Sequence, residues 1–154
     1  MKTVTLKLSE VLNLEAELAG IANQQTGEQI VQGLLGLELD FVLKYHLTKI
    51  HTQVLEEKKQ IEKFREELIK KFGEEDKDGN FSVPYVINIV KNDKGEAVSA
   101  DPNPKFEEFS KEFEKFLQET TEIKVKELSV EDFAGIKLKT APAVLFSLLE
   151  DIQD

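Results

Sequence analysis

The chain has 154 residues and a mass of 17.5 kDa, with thirty acidic against twenty basic residues, a formal charge of −10 and a pI near 4.8. That excess of acid disfavours direct nucleic-acid or anionic-membrane binding, and the absence of cysteine excludes disulfides, thiolate metal sites and Cys nucleophiles. The longest apolar runs, such as "VLFSLL" from Val144 to Leu149, fall far short of the roughly 20 residues that cross a bilayer.

Length suits one domain spanning residues 1–154, and 40% hydrophobic with 32% charged residues is a globular, helix-leaning composition. The N-terminal "MKTVTLKLSEV" alternates apolar and polar residues and has no continuous apolar stretch, so no export signal is expected. Within it, Val4, Leu6 and Leu8 share one face at period two, which predicts a strand over residues 3–8. Ser9 then offers a cap for a helix over 9–22, with Val11, Leu14, Leu18 and Ile21 at helical spacing; "NQQTG" ends it.

Thr26, with Gln29 three residues on, reads as a capping box opening a long helix over 28–72, bent or broken where Gly33 and Gly36 fall near 33–36. Leu47, Ile50, Val54, Ile61, Phe64 and Leu68 follow a three-four rhythm interrupted by Glu57, a narrow seam that calls for a partner helix. The partner predicted is residues 104–119, where Phe106, Phe109, Phe113 and Phe116 form an aromatic stripe suited to a core. "IKVKEL" over 123–128 alternates again and can pair with the N-terminal strand, "SVEDF" reads as a capped turn from Ser129, and Ile136 to Leu138 offers a third short strand. A last helix over 140–152 has Thr140 as its cap, Pro142 in its first turn and Val144, Leu145, Leu148, Leu149 and Ile152 as its apolar face.

Between the two paired helices lies "GEEDKDGNFSVPYVINIVKNDKGEAVSADPNP", which begins like a calcium loop. With Gly79 at the sixth position, Glu74, Asp76 and Asp78 occupy the first, third and fifth, but Tyr85 stands where a bidentate carboxylate is required. These three acids are the only candidates for a cation, and no metal site is expected from them. Asp78-Gly79 and "NDKGE" are turn signals of type I′ chemistry flanking β-branched runs, so a β-hairpin over 81–100 is predicted, with Asn92, Asp93, Lys94 and Gly95 at its tip. A connection of this length is often functional, which makes the tip a candidate binding surface.

No chemistry-bearing constellation emerges. His46 and His51, the only histidines, stand five residues apart and diverge by about 140° on a helix. Glu15 with Glu17 and Glu38 with Asp40, each two residues apart, diverge likewise, and no phosphate-binding glycine motif or nucleophile elbow is present. "GLLGLELDF" gathers Leu34, Leu35, Leu37 and Phe41 into an apolar patch that serves either close packing or self-association.

The order of parts, a long charged helix, "EELIKKFGEEDKDGN", a hairpin, "KFEEFSKEFEKFLQETTEIKVKELSVEDF" and "TAPAVLFSLLEDI", resembles an uncharacterised family of small tailed-bacteriophage proteins over about residues 56–152. The resemblance transfers no catalytic residues and implies a phage gene product that acts by binding. The expected fold is α+β: a long antiparallel helical hairpin with a small β-sheet and a projecting β-hairpin. The expected function is non-enzymatic and needs no cofactor: a virion or assembly component or adaptor with a viral or host protein partner, or with a second copy of itself. It would act in the cytoplasm of the bacterial host or within the virion. The alternative is an acidic inhibitor of a host defence or nucleic-acid-processing protein, and an enzyme with a carboxylate site assembled across helices is a third.

Overall fold

A computed structural model describes residues 2–23, 25–126, 128–136 and 142–151. The fold mixes helices with small antiparallel sheets and is α+β in class. In chain order the elements are β1 (Lys2–Lys7), α1 (Leu8–Ala19), β2 (Gly20–Ala22), β3 (Gln29–Gln32), a 3-10 turn at Leu34–Gly36, α2 (Phe41–Phe72), β4 (Glu74–Glu75), β5 (Phe81–Ser82), β6 (Val86–Lys91), β7 (Ala97–Pro102), α3 (Pro104–Leu117), β8 (Thr120–Val125), a 3-10 turn at Val130–Phe133 and α4 (Ala143–Asp151). Where the sequence is read as one domain, the described contacts divide it into two compact units, 1–60 with 118–154, and 61–117. The helix α2 is a single element with residues in both.

In the first unit β1 pairs antiparallel with β8, Val4 opposite Ile123, and the alternation buries Val4, Leu6, Ile123 and Val125 on one face. The pairing anticipated for "IKVKEL" is present, shifted from 123–128 to 120–125. The ladder continues one step into α1, because the Leu8 amide donates to the Glu119 carbonyl at 2.9 Å. That bond starts the helix at Leu8, and Ser9, anticipated as its cap, falls inside the first turn while the Glu10 carboxylate accepts from the Lys7 amide at 3.2 Å. Leu8, Val11, Leu14 and Leu18 of α1 and Leu43, Leu47, Ile50 and Val54 of α2 complete the core, with Leu34, Leu128, Phe133 and Leu145. Phe133 meets Phe146 edge to face at 5.4 Å.

Two corrections fall near the start of α2. Residues 28–40, expected as helix, hold β3 and a 3-10 turn, and the helix begins at Phe41. Its cap is Asp40, whose Oδ2 accepts from the Val42 and Leu43 amides at 3.1 and 3.4 Å. β3 forms because "QIVQ" pairs back on Gly20–Ala22, residues assigned in the sequence to the end of the first helix. Gly20 ends α1 at φ 84°, a left-handed conformation, and Gly33 lies so close to it that an added Cβ would run into the backbone of Gly20 and Leu18. The glycine at 33 therefore serves a strand crossing a helix end, and not a helix bend.

At the other end of this unit, α4 is capped from across the core: the two oxygens of Glu17 accept from the Val144 and Leu145 amides at 2.9 and 3.1 Å. Pro142 precedes the first helical residue and accepts through its carbonyl from the Phe146 amide at 2.9 Å. The anticipated strand at 136–138 is not formed at Ile136, and its remaining residues, the Thr140 cap, the Leu148 and Leu149 side chains and Ile152 lie outside the described residues.

The second unit contains the last turns of α2, two small ladders and α3. Its buried apolar side chains are Ile61, Leu68 and Phe109. Phe64 stacks on Phe116 at 4.3 Å and Lys71 reaches Glu112 at 3.4 Å, contacts that run the two helical segments in opposite directions. Of the expected Phe stripe, Phe109 is buried and stacks on Phe113 at 6.0 Å, while Phe106, Phe113 and Phe116 are half-buried.

Candidate interaction surface

The second unit is held by turns. At Asp76–Asn80 the Asp76 amide donates to the Asn80 carbonyl at 2.8 Å, the Gly79 amide donates to the Asp76 carbonyl at 3.2 Å, and Asp76 Oδ1 accepts from the Asp78 and Asn80 amides at 2.8 and 2.9 Å. Asn92–Glu96 repeats this: Asn92 amide to Glu96 carbonyl at 2.9 Å, Gly95 amide to Asn92 carbonyl at 3.0 Å, and Asn92 Oδ1 accepting from the Lys94 and Glu96 amides, both at 3.0 Å. Gly79 and Gly95 have φ of 83° and 79°. Both are three-residue loops, a type I turn followed by a left-handed glycine. The type I′ expectation is corrected, since that turn needs positive φ at Asp78 as well, and Asn88 is the only described non-glycine residue with one.

The first turn closes the short β4–β5 ladder, Glu75 opposite Phe81, and Pro84 then interrupts pairing. The hairpin expected over 81–100 is therefore two: this short ladder, and a ribbon of β6 and β7 spanning 86–102. Within β6 the register shifts between Ile87 and Val90, and Asn88 takes φ 53° at the bulge while its side-chain amide donates to Asp101 Oδ2 at 3.0 Å. The bulge breaks the period of two, so Ile89 and Val90 both end up exposed.

Asn103 ties the ribbon to α3. It is buried, its Nδ2 donates to the Pro84 carbonyl at 2.7 Å, its amide donates to the Tyr85 carbonyl at 3.2 Å, and its Oδ1 accepts from the Lys105 amide at 3.1 Å. Its carbonyl accepts from the Phe106 and Glu107 amides, so one residue caps α3 and anchors the strand entering β6. Beside it Tyr85 meets Phe106 edge to face at 5.1 Å, and with Pro102, Asn103, Glu107, Ser110 and Lys111 they line an open groove of about 310 Å³.

The ribbon and its entry present apolar side chains to solvent: Tyr85, just before β6, is 72% exposed, and Ile89, Val90 and Val98 are all more than half exposed. Both of its outer edges lack a neighbouring strand among the described residues. At its tip, Asp93 and Lys94 are exposed, whereas the Asn92 side chain and Gly95 are used to make the turn. An alternating run in sequence predicts one buried face, and the exposure of Ile89, Val90 and Val98 departs from that expectation.

Other candidates are dispersed. Asp76 spends one carboxylate oxygen on its own turn, and Glu74, Asp76 and Asp78 are not gathered for a cation; no group of three His, Asp or Glu among the described residues is. In the first unit Leu34 is buried, Leu35 and Leu37 are half-buried, and Phe41 is 83% exposed, so the apolar patch divides between core and surface. Glu15 lies 3.2 Å from Lys58 and 3.6 Å from His51 Nε2, whereas Glu17 turns away to cap α4, the divergence that two residues on a helix impose. Comparisons with protein-family models, curated proteins and solved structures find no match for this chain. Among the described residues no helix is long and apolar enough to cross a membrane.

Proposed function

We propose that this chain acts by binding another protein, as a small bacteriophage virion or assembly component or an adaptor, and that the β6–β7 ribbon is its docking element. The observation that carries this reading is the ribbon itself: apolar side chains facing solvent on a strand pair whose outer edges have no neighbouring strand among the described residues, anchored by a buried, hydrogen-bonded Asn103. An extended segment of the partner can add to such an edge, with main-chain hydrogen bonds giving affinity and the side chains of Ile89, Val90 and Val98 giving selectivity. The stacking of Phe64 on Phe116 and the Lys71–Glu112 pair support an antiparallel helical hairpin that carries this ribbon. The host cytoplasm and the assembled particle are the places where such a protein would work.

Particle composition tests it. Fixed copy number in purified particles, lost on Ile89→Ser with Val98→Ser while circular dichroism stays unchanged, is the expected result. Absence from particles removes the virion version, and unchanged incorporation of the double variant removes the ribbon as the docking element. A second reading, an acidic inhibitor of a host defence or nucleic-acid-processing protein, is favoured by the charge of −10 and by exposed Glu62, Glu66, Glu108 and Glu114. Capture that weakens steeply with modest added salt would support it, because attraction between charged surfaces is screened within about 10 Å at 0.1 M salt.

A further inference from the structure

In a chain so rich in acid, one groove of the first unit gathers three lysines and a histidine. His46, Lys49, Ile50, Thr52 and Gln53 of α2 and Lys124 and Lys126 at the end of β8 surround an open volume of about 360 Å³. The placement follows from the two periodicities: 46, 49, 50 and 53 fall on one helix face, and 124 and 126 point to the same side of an extended chain. Ile50 is buried and forms the floor. The described lining contains no carboxylate, although the sequence holds thirty.

The walls are fixed to each other. Gln53 Nε2 donates to the Lys124 carbonyl at 2.6 Å and its Oε1 accepts from the Lys124 amide at 2.8 Å, so one side chain pairs with β8 as a neighbouring strand would. Lys49 Nζ sits 4.9 Å above the Tyr45 ring, and Tyr45 meets His46 edge to face at 5.4 Å, which orders the helix side. Burial, and then the ammonium groups of Lys126 and Lys49, hold the His46 imidazole below its ordinary pKa. The ammonium groups of Lys126 and Lys49 therefore lie close enough to disfavour a charged imidazole, and an anion among them would offset their field.

We propose that this groove is a binding site for a small phosphate-bearing ligand, held by Lys49, Lys124, Lys126 and His46 over the floor made by Ile50. Three ammonium groups and an imidazole concentrated at one place match the clustered oxygens of a phosphate, each contact a charge-assisted hydrogen bond. The volume is that of a small-molecule site. An acidic peptide would call for a basic stripe extending past the groove.

Inorganic phosphate and pyrophosphate are the probes, titrated into the full chain at constant ionic strength against chloride, with the imidazole and amide signals followed by NMR. The expected result is saturable shifts at residues 46, 49, 53, 124 and 126 and a rise in the His46 pKa, since a bound anion favours the imidazolium, with His51 unmoved. Lys49→Ala and Lys126→Ala should each weaken binding about tenfold, the loss of one charge-assisted bond, and Lys44→Ala, an exposed lysine outside the groove, should leave it unchanged. Shifts that never saturate, equal movement of His51, or full binding by both groove variants would overturn the proposal. So would saturation by a polyglutamate peptide without any response to phosphate.

Discussion

The two units reach order by different means. The first buries one face each of α1 and α2 together with one face of a strand pair, with Leu14, Leu18, Leu47 and Val54 fully enclosed. The second buries only Ile61, Leu68 and Phe109, and gets its shape from two matching Asx-glycine turns, a bulge and one buried asparagine. The difference teaches that local hydrogen bonding can hold a ribbon in place without burying its apolar side chains, which leaves them available to a partner. An isolated two-stranded hairpin is marginal in water, so the anchoring residues matter more here than they would in a sheet with a core.

The contrast can be broken from either side. Leu47→Ala in the first unit should show the largest effect, a loss of about 4 kcal/mol by chemical denaturation, because a fully enclosed leucine leaves a cavity that its neighbours cannot fill. Phe109→Ala should cost about 3 kcal/mol, and in native-state hydrogen exchange its loss of protection should stay within residues 61–117; loss across both units would show that they unfold as one. Asn103→Ala should cost about 2 kcal/mol, since it leaves the Pro84 carbonyl without its donor and α3 without its side-chain cap. The counterpart in the first unit, Glu17→Gln, should cost about 1 kcal/mol, because the neutral amide retains one acceptor oxygen but loses the charge at the α4 terminus.

The smallest and sharpest comparison is between the turns themselves. Gly79→Ala and Gly95→Ala should each cost about 1 kcal/mol, the strain of a Cβ in the left-handed region, and the two losses should match because among the described residues a Cβ at 79 would meet only Glu75 Oε1 at an ordinary 3.6 Å and one at 95 would meet open space. Only Gly95→Ala should alter the amide signals of β6 and β7. A marked inequality between the two would mean that one turn draws support from outside its own hydrogen bonds.

Much of this was legible along the chain. Alternation located β1 and β8, the three-four rhythm located the body of α2, and the Phe stripe located α3, although of the four rings expected in a core only Phe109 is buried. The Asn103-Pro104 pair also carries a cap-and-first-turn signal, which composition alone leaves hidden in a loop. The β2–β3 pairing was not legible: three residues against four, around "NQQTGE", are too few for a period to show. Exposure of Ile89 and Val98 was not legible either, because hydrophobic pattern assumes that a core waits on one side.

What the sequence determined by itself is whatever rests on neighbours in the chain: the faces of α1, α2 and α3, the positions of the two glycine turns, the acidic surface and the lack of cysteine chemistry. Tertiary structure decided where α2 begins, since that depends on Asp40 and on Gly33 packing against the end of α1. It also decided that Glu17 caps α4, and that Lys49 of a helix and Lys126 beside a strand line one groove. These relations join residues far apart in the chain, and a local pattern carries no information about which distant backbone groups will stand unsatisfied once the chain has folded.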